Sequence, residues 1–133
     1  MSGKRYIKGV KVSERHGAGE WQAERLSSVM LVPLAIWGLW SGWIMSGAGY
    51  DGALEWFGNP LNALVLAATL LISLWHMNMG LKVIVDDYIH KPASRNLIVW
   101  SIGLVCLLLA SAGVFFIVRL ALGSAPLPAG LGA

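Results

Sequence analysis

Residues 57–81 read FGNPLNALVLAATLLISLWHMNMGL, and His76 is the only ionisable side chain among them. A helix needs about 20 apolar residues to cross the hydrocarbon core of a bilayer, and this run exceeds that length. Because a backbone in lipid must satisfy its own hydrogen bonds, a run this long crosses only as a helix. The segment therefore predicts a membrane-spanning helix that carries one imidazole.

Two further apolar runs, residues 26–50 and 96–118, contain no charged side chain. Of the 133 residues, 56% are hydrophobic and 13% are charged, whereas about a quarter of the residues of a soluble domain are charged. This balance excludes the polar exterior that a soluble helical protein needs. We predict an all-α membrane protein with three transmembrane helices, at about 26–50, 57–85 and 96–118, preceded by a basic segment of residues 1–25 and followed by a tail of residues 123–133.

The positions of the basic residues predict the orientation. Of the ten Lys and Arg residues, six precede the first run, three flank the second loop and one, Arg119, follows the third run. The first loop, predicted from Asp51 to Trp56, has none. Cytoplasmic flanks of spans are enriched in basic residues. The N-terminus is therefore predicted in the cytoplasm and the C-terminus outside.

The net charge of +3 does not by itself indicate a nucleic-acid partner. Six of the basic residues lie beside the first span, where they would face anionic lipid headgroups. The first run is also longer than the apolar part of a signal peptide, and the segment before it is long. We therefore predict that the first span is retained in the membrane.

His76 is a candidate functional residue, because ionisable side chains inside a membrane are costly. One interpretation is a neutral imidazole that hydrogen-bonds to a neighbouring helix. The other is a metal ligand, since neutral imidazole commonly binds haem iron. Gly80 lies one turn away on the same face and would leave room for a flat macrocycle, although it could also be a packing glycine. Met77 and Met79 project from the same helix and no other span has a histidine, so a second axial histidine would come from another chain.

The second span ends at Asp86, Asp87 and Tyr88. Carboxylates at a helix C-terminus oppose the helix dipole, so helix propensity does not explain them. A solvated start of the loop explains Asp86 equally well. The Tyr88 hydroxyl could donate a hydrogen bond at the depth of a quinone headgroup. The rise from His76 to Asp87 is roughly 16 Å at 1.5 Å per residue, which makes a haem ligand and a quinone contact on one helix compatible.

At these residues the chain resembles the hydrophobic membrane anchor subunits of succinate dehydrogenase, over a region from about Gly19 to the end of the third span. The resemblance rests on the spacing of four features: His76, Gly80, the pair Asp87-Tyr88, and Lys91-Pro92. The first helix, at Trp21-Gln22-Ala23-Glu24-Arg25-Leu26 and Val32-Pro33-Leu34, is similar to the alphaproteobacterial form of that family.

The resemblance implies a role for four residues of this chain. His76 would be an axial ligand of haem b, which would be shared with a partner membrane subunit. Arg25 would contact a haem propionate, a charge pairing that is reasonable at a membrane surface. Tyr88 would donate a hydrogen bond to a carbonyl of ubiquinone, and Asp87 would orient that pocket through an arginine of the partner.

The resemblance also implies partners: a flavoprotein that oxidises succinate, an iron–sulfur protein and a second membrane (cytochrome b) subunit, in the respiratory chain and tricarboxylic acid cycle. The protein would then be a multi-pass protein of the bacterial inner membrane with a periplasmic C-terminus. This chain has neither a dinucleotide fingerprint nor a cysteine cluster, so flavin and iron–sulfur centres are expected on the partners. Two alternatives remain: the anchor of a quinol:fumarate reductase, and a structural subunit or small transporter component in which His76 only hydrogen-bonds.

Overall fold

The computed structural model describes the backbone of residues 3–123 and the side chains of residues 18–123. Within that part the chain forms three helices and no strand: α1 (Gly3–Gly58), α2 (Pro60–Tyr88) and α3 (Pro92–Ala121). Each helix contains a stretch long and apolar enough to cross a membrane. The predicted all-α fold with three spans is confirmed. The orientation of the termini stays a prediction, and residues 124–133 of the predicted tail lie outside the described residues.

The boundary between α1 and α2 is set by two residues. Asn59 has an extended backbone, and its Oδ1 accepts a hydrogen bond from the Leu61 N–H at 3.0 Å. Pro60 occupies the first turn, where a helix does not need the missing N–H. Asn62 Nδ2 donates to the carbonyl of Trp56 at 3.1 Å and ties the end of α1 to α2. The second helix thus begins at Pro60, three residues later than predicted.

Helix α1 is broken at Gly49, where φ is 68° and ψ is −171°. This backbone conformation is open essentially to glycine alone. Beyond the break the chain turns back, and the ring of Trp56 lies 5.7 Å from that of Trp37 between centroids. In an unbroken helix these two residues would be roughly 28 Å apart along the axis.

The prediction of a loop from Asp51 to Trp56 is wrong, because these residues are helical and belong to α1. A single glycine with positive φ makes the reversal, so the residues after it need not leave the helix. The polar pair Asp51 and Glu55 therefore lies on a short helical segment that precedes α2.

Helices α1 and α2 lie antiparallel, as the short connection between them requires. Lys82 pairs with Glu20, and His76 contacts Ser27. Residue numbers therefore increase along α1 as those of the contacting residues on α2 decrease. These contacts bring the second half of α2 against the stretch of α1 from Glu20 to Ser27. That register places the only histidine of the spans next to α1.

Helix α3 packs antiparallel against α2 and also contacts α1. Near one end, Arg95 Nε donates to Asp86 Oδ1 at 2.6 Å. Near the other, a Cβ added at Gly113 would collide with the end of the Leu70 side chain. Gly113 thus permits a close approach of α3 to α2, as small residues do in membrane bundles.

The exterior of the described chain is apolar. Large side chains such as Trp43 and Trp100 are 77% and 79% exposed. Few apolar side chains are buried between the helices, namely Ala63, Val85, Cys106 and Ile117. In contrast, the polar Ser27 is fully buried, at 0% exposure. Contiguous apolar surface of this kind must be covered by lipid or by other protein chains.

Candidate functional site

The site is centred on His76, which lies in the second half of α2 and is half-buried. Its Nδ1 atom lies 2.9 Å from the Oγ atom of Ser27 on α1. The same Oγ atom donates to the backbone carbonyl of Glu24, also at 2.9 Å. No residue in the part of the chain that the structure describes bonds to His76 Nε2. The imidazole is thus held by α1 through one nitrogen and available for a ligand through the other.

Gly80 lies one turn beyond His76 on α2 and faces open space. A Cβ atom built at Gly80 would have no described heavy atom within 4 Å, apart from its immediate helical surroundings. Gly113 is different, because there a Cβ would collide with Leu70 of the neighbouring helix. Gly80 therefore does not serve close packing between the described helices of this chain.

Arg25 lies on α1, two residues before Ser27, and is exposed. Its guanidinium carbon lies 5.0 Å from the centroid of the Trp21 ring, a distance typical of a cation–π contact. Stacking on an indole leaves the planar N–H donors of arginine free at the edge of the ring system. Arg25 can therefore still donate to an anionic group.

Three polar residues end α2, and the structure divides their roles. Asp86 accepts a hydrogen bond from Arg95 and so joins the end of α2 to the start of α3. Asp87 is exposed, and Tyr88 is 79% exposed. No described residue forms a hydrogen bond with the side chain of either Asp87 or Tyr88. Both remain available to a ligand or partner at this edge.

The structure does not bring all the predicted site residues into one cluster. His76 contacts Ser27, whereas the exposed Arg25 stacks on Trp21. Asp87 and Tyr88 lie about three turns beyond His76 along α2. Within residues 18–123, no three His, Cys, Asp or Glu side chains form a group that could hold a metal ion. A metal at His76 would thus need ligands that the described chain does not supply, such as a porphyrin and a second axial residue.

Sequence reasoning missed Ser27 and the ion pair between Lys82 and Glu20. Ser27 is one of several hydroxyl residues in the first span, and its spacing along α1 does not distinguish it. Only the pairing of α1 with α2 shows that it faces His76. The pair Lys82–Glu20 joins the same two helices one to two turns away. The ion pair could have been predicted from the opposite charges of Glu20, before the first span, and Lys82, after the apolar run of the second.

Comparisons with known proteins agree with this architecture. A family model described as the succinate dehydrogenase/fumarate reductase transmembrane subunit matches residues 10–121. No solved structure matches the chain.

Several curated proteins are also similar to the chain. The succinate dehydrogenase hydrophobic membrane anchor subunit of Rickettsia typhi is 29% identical over 96 residues, covering 72% of this chain and 77% of that protein. The succinate dehydrogenase membrane anchor subunit of Reclinomonas americana is 24% identical over 99 residues, covering 72% and 82%. The hydrophobic membrane anchor subunit of Paracoccus denitrificans is 27% identical over 78 residues, covering 59% and 60%.

The family model covers most of the chain, including all of α2 and α3 and the part of α1 that contacts His76. With its three apolar helices, the chain belongs to the family of succinate dehydrogenase and fumarate reductase transmembrane subunits.

Proposed function

We propose that this chain anchors a succinate dehydrogenase in the membrane, binds haem b through His76 and forms one wall of the quinone site with Asp87 and Tyr88. The observation that carries the proposal is the arrangement on α2. An imidazole inside a span has one nitrogen free of described partners, and the glycine one turn away faces open space. The names of the similar proteins support the anchoring role.

Anchoring follows from the apolar exterior. The outward-facing side chains of all three helices need lipid or another membrane subunit as their surroundings. The partners in this proposal are a flavoprotein, an iron–sulfur protein and a second membrane subunit. The bias of basic residues toward one side predicts that the N-terminus, the end of α2 and the start of α3 lie on the cytoplasmic side of a bacterial membrane. The water-soluble subunits would dock on that side of the inner membrane.

The residues present fit a haem b group. His76 offers Nε2 as one axial ligand, Gly80 leaves space beside it, and Arg25 offers a guanidinium to a propionate. When bound, haem exchanges one electron at a time between its ferric and ferrous forms. His76 is the only histidine of the three spans, so a bis-histidine haem would require an imidazole from the second membrane subunit. The cofactor would then also join the two membrane subunits.

The quinone site is proposed at the end of α2. The Tyr88 hydroxyl would donate a hydrogen bond to a carbonyl of ubiquinone, while Asp87 would orient a basic group of the partner subunit. Both side chains are exposed and have no described hydrogen-bond partner. The reaction balances: succinate loses two electrons and two protons on the flavoprotein, and the quinone takes up two electrons and two protons to become the quinol.

Two other functions have a specific observation in their favour. The matching family model covers subunits of fumarate reductase as well, in which electrons run from quinol to fumarate. A purely structural subunit is favoured by the contact between His76 and Ser27, because an imidazole bonded across helices is what that hypothesis predicted. The structural hypothesis leaves unexplained why Nε2 has no partner among the described residues and why Gly80 faces open space.

Deleting this chain from its host cell tests the anchoring role. We expect succinate oxidation with an artificial electron acceptor to move from the membrane fraction to the soluble fraction, and succinate-dependent quinone reduction to be lost. Restoring the chain on a plasmid should return both activities to the membrane. Membrane-bound, quinone-coupled succinate oxidation in the deletion strain would refute the proposal.

A further inference from the structure

Ser27 is the fully buried side chain at the contact between α1 and α2. Its Oγ atom is 2.9 Å from two atoms, the carbonyl oxygen of Glu24 and Nδ1 of His76. A serine hydroxyl has one proton to donate and two lone pairs to accept with. The two contacts therefore cannot both be donated by Ser27, and the question is which partner receives the proton.

The contact with the Glu24 carbonyl favours one direction. A carbonyl oxygen only accepts, so the Ser27 hydroxyl donates to it, as serine in a helix commonly does to a preceding carbonyl. Since that proton is then used, His76 Nδ1 carries a proton and donates to the Ser27 Oγ atom. A neutral imidazole protonated at Nδ1 has its lone pair at Nε2, the nitrogen without a described partner.

We infer that Ser27 is a positioning residue, which holds His76 in the tautomer that binds iron through Nε2. Through this contact it also adjusts the reduction potential of the haem. This inference rests on the proposed haem ligation. A hydrogen bond accepted from the far N–H of a ligating imidazole fixes the ring and makes the ligand more basic. A more basic ligand stabilises ferric iron more than ferrous iron. The contact between Ser27 and His76 thus lowers the reduction potential of the haem.

The test uses the assembled, purified complex and three substitutions at one position. Ser27→Ala removes the acceptor, Ser27→Thr retains a hydroxyl, and Ser27→Cys keeps nearly the same size with a much weaker acceptor. Ser28→Ala is the matched control, because the Ser28 hydroxyl donates at 2.7 Å to the same Glu24 carbonyl but is exposed and does not contact His76. The readouts are haem content, the haem reduction potential from an optical redox titration, and the g values of the ferric haem in electron paramagnetic resonance.

We expect Ser27→Ala to reduce the preference of the site for ferric over ferrous iron about tenfold, the lower end for loss of an outer hydrogen-bond partner. For a one-electron couple this raises the potential by about 59 mV. Ser27→Cys should shift the potential in the same direction, and the g values should change with it. Ser27→Thr and Ser28→Ala should remain at the wild-type potential. Loss of haem in Ser27→Ala, with haem kept in Ser27→Thr, would equally support the inference.

Wild-type potential and g values in both Ser27→Ala and Ser27→Cys would overturn the inference. If neither variant assembles while Ser27→Thr does, Ser27 is a packing contact between α1 and α2, and the inference also fails. A wild-type complex without haem, or one that keeps its haem in His76→Leu, refutes the proposed function instead. The haem content of the wild-type and His76→Leu complexes separates these two failures.

Discussion

Replacing Gly80 with leucine should expel haem from the complex without disturbing the three-helix chain. Apart from its own helix backbone and chain neighbours, no described heavy atom lies within 4 Å of a Cβ at Gly80, so a side chain there starts in open space. Replacing an interior glycine with a good helix former even stabilises a helix by up to about 1 kcal/mol. The effect of the substitution thus falls on whatever occupies the space beside His76.

The magnitude follows from overpacking. Forcing a side chain into an occupied, well-packed space costs about 1–3 kcal/mol. At 1.4 kcal/mol per factor of ten, haem binding should weaken roughly 5- to 150-fold. Gly103→Leu is the matched control, because Gly103 lies inside α3 and an added Cβ there also has no described atom within 4 Å.

The assay is the haem content of the purified complex, measured by reduced-minus-oxidised difference spectra and normalised to the amount of this chain. We expect Gly80→Leu to show depleted haem with all subunits present, and Gly103→Leu to match the wild type. Full haem occupancy in Gly80→Leu would show that the face shared by Gly80 and His76 does not receive the macrocycle. That result would remove the spatial argument for haem binding.

Three further substitutions test other parts of the structure. Tyr88→Phe removes the hydrogen bond proposed to ubiquinone, worth about 0.5–1.5 kcal/mol, and should lower quinone reduction roughly two- to tenfold while succinate oxidation with an artificial acceptor is unchanged. Equal quinone rates would exclude Tyr88 as a contact. Gly49→Ala forces a side chain into a backbone conformation with φ of 68°, which should destabilise the purified complex by about 1–3 kcal/mol in thermal unfolding. The control Gly47→Ala, at a position without positive φ, should leave the stability unchanged. Asn59→Ala removes the N-terminal cap of α2 and should lower the stability of the complex by about 1 kcal/mol, whereas Asn59→Asp keeps a capping oxygen and should melt like the wild type. Identical melting temperatures for the wild type and both variants would contradict the role of the cap.

The fold could be predicted from the sequence because lipid imposes one simple rule on the backbone. Long apolar runs cross as helices, and the chain has three of them. The reversal near Gly49 could not be predicted in the same way. Asp51 and Glu55 make the segment polar, and polarity alone does not distinguish a loop from a short helix at the end of a span. The deciding feature is the positive φ of Gly49, which the hydropathy of the neighbouring residues does not predict.

The candidate site could be predicted in part, since His76 and Gly80 share one helix and their spacing fixes their common face. The contact with Ser27 depends instead on how α1 and α2 are rotated against each other. That rotation is set by packing along the whole interface, and neither helix encodes it in its own periodicity. Which imidazole nitrogen lacks a described partner is likewise a property of two helices together, because Ser27 contacts Nδ1.

The most direct test of His76 as the haem ligand is the optical spectrum of the purified complex, wild type against His76→Leu. The account predicts a b-type spectrum in the wild-type complex and its loss in the variant, with all subunits still copurifying. A colourless wild-type complex, or a variant with its full b-type spectrum, would contradict it.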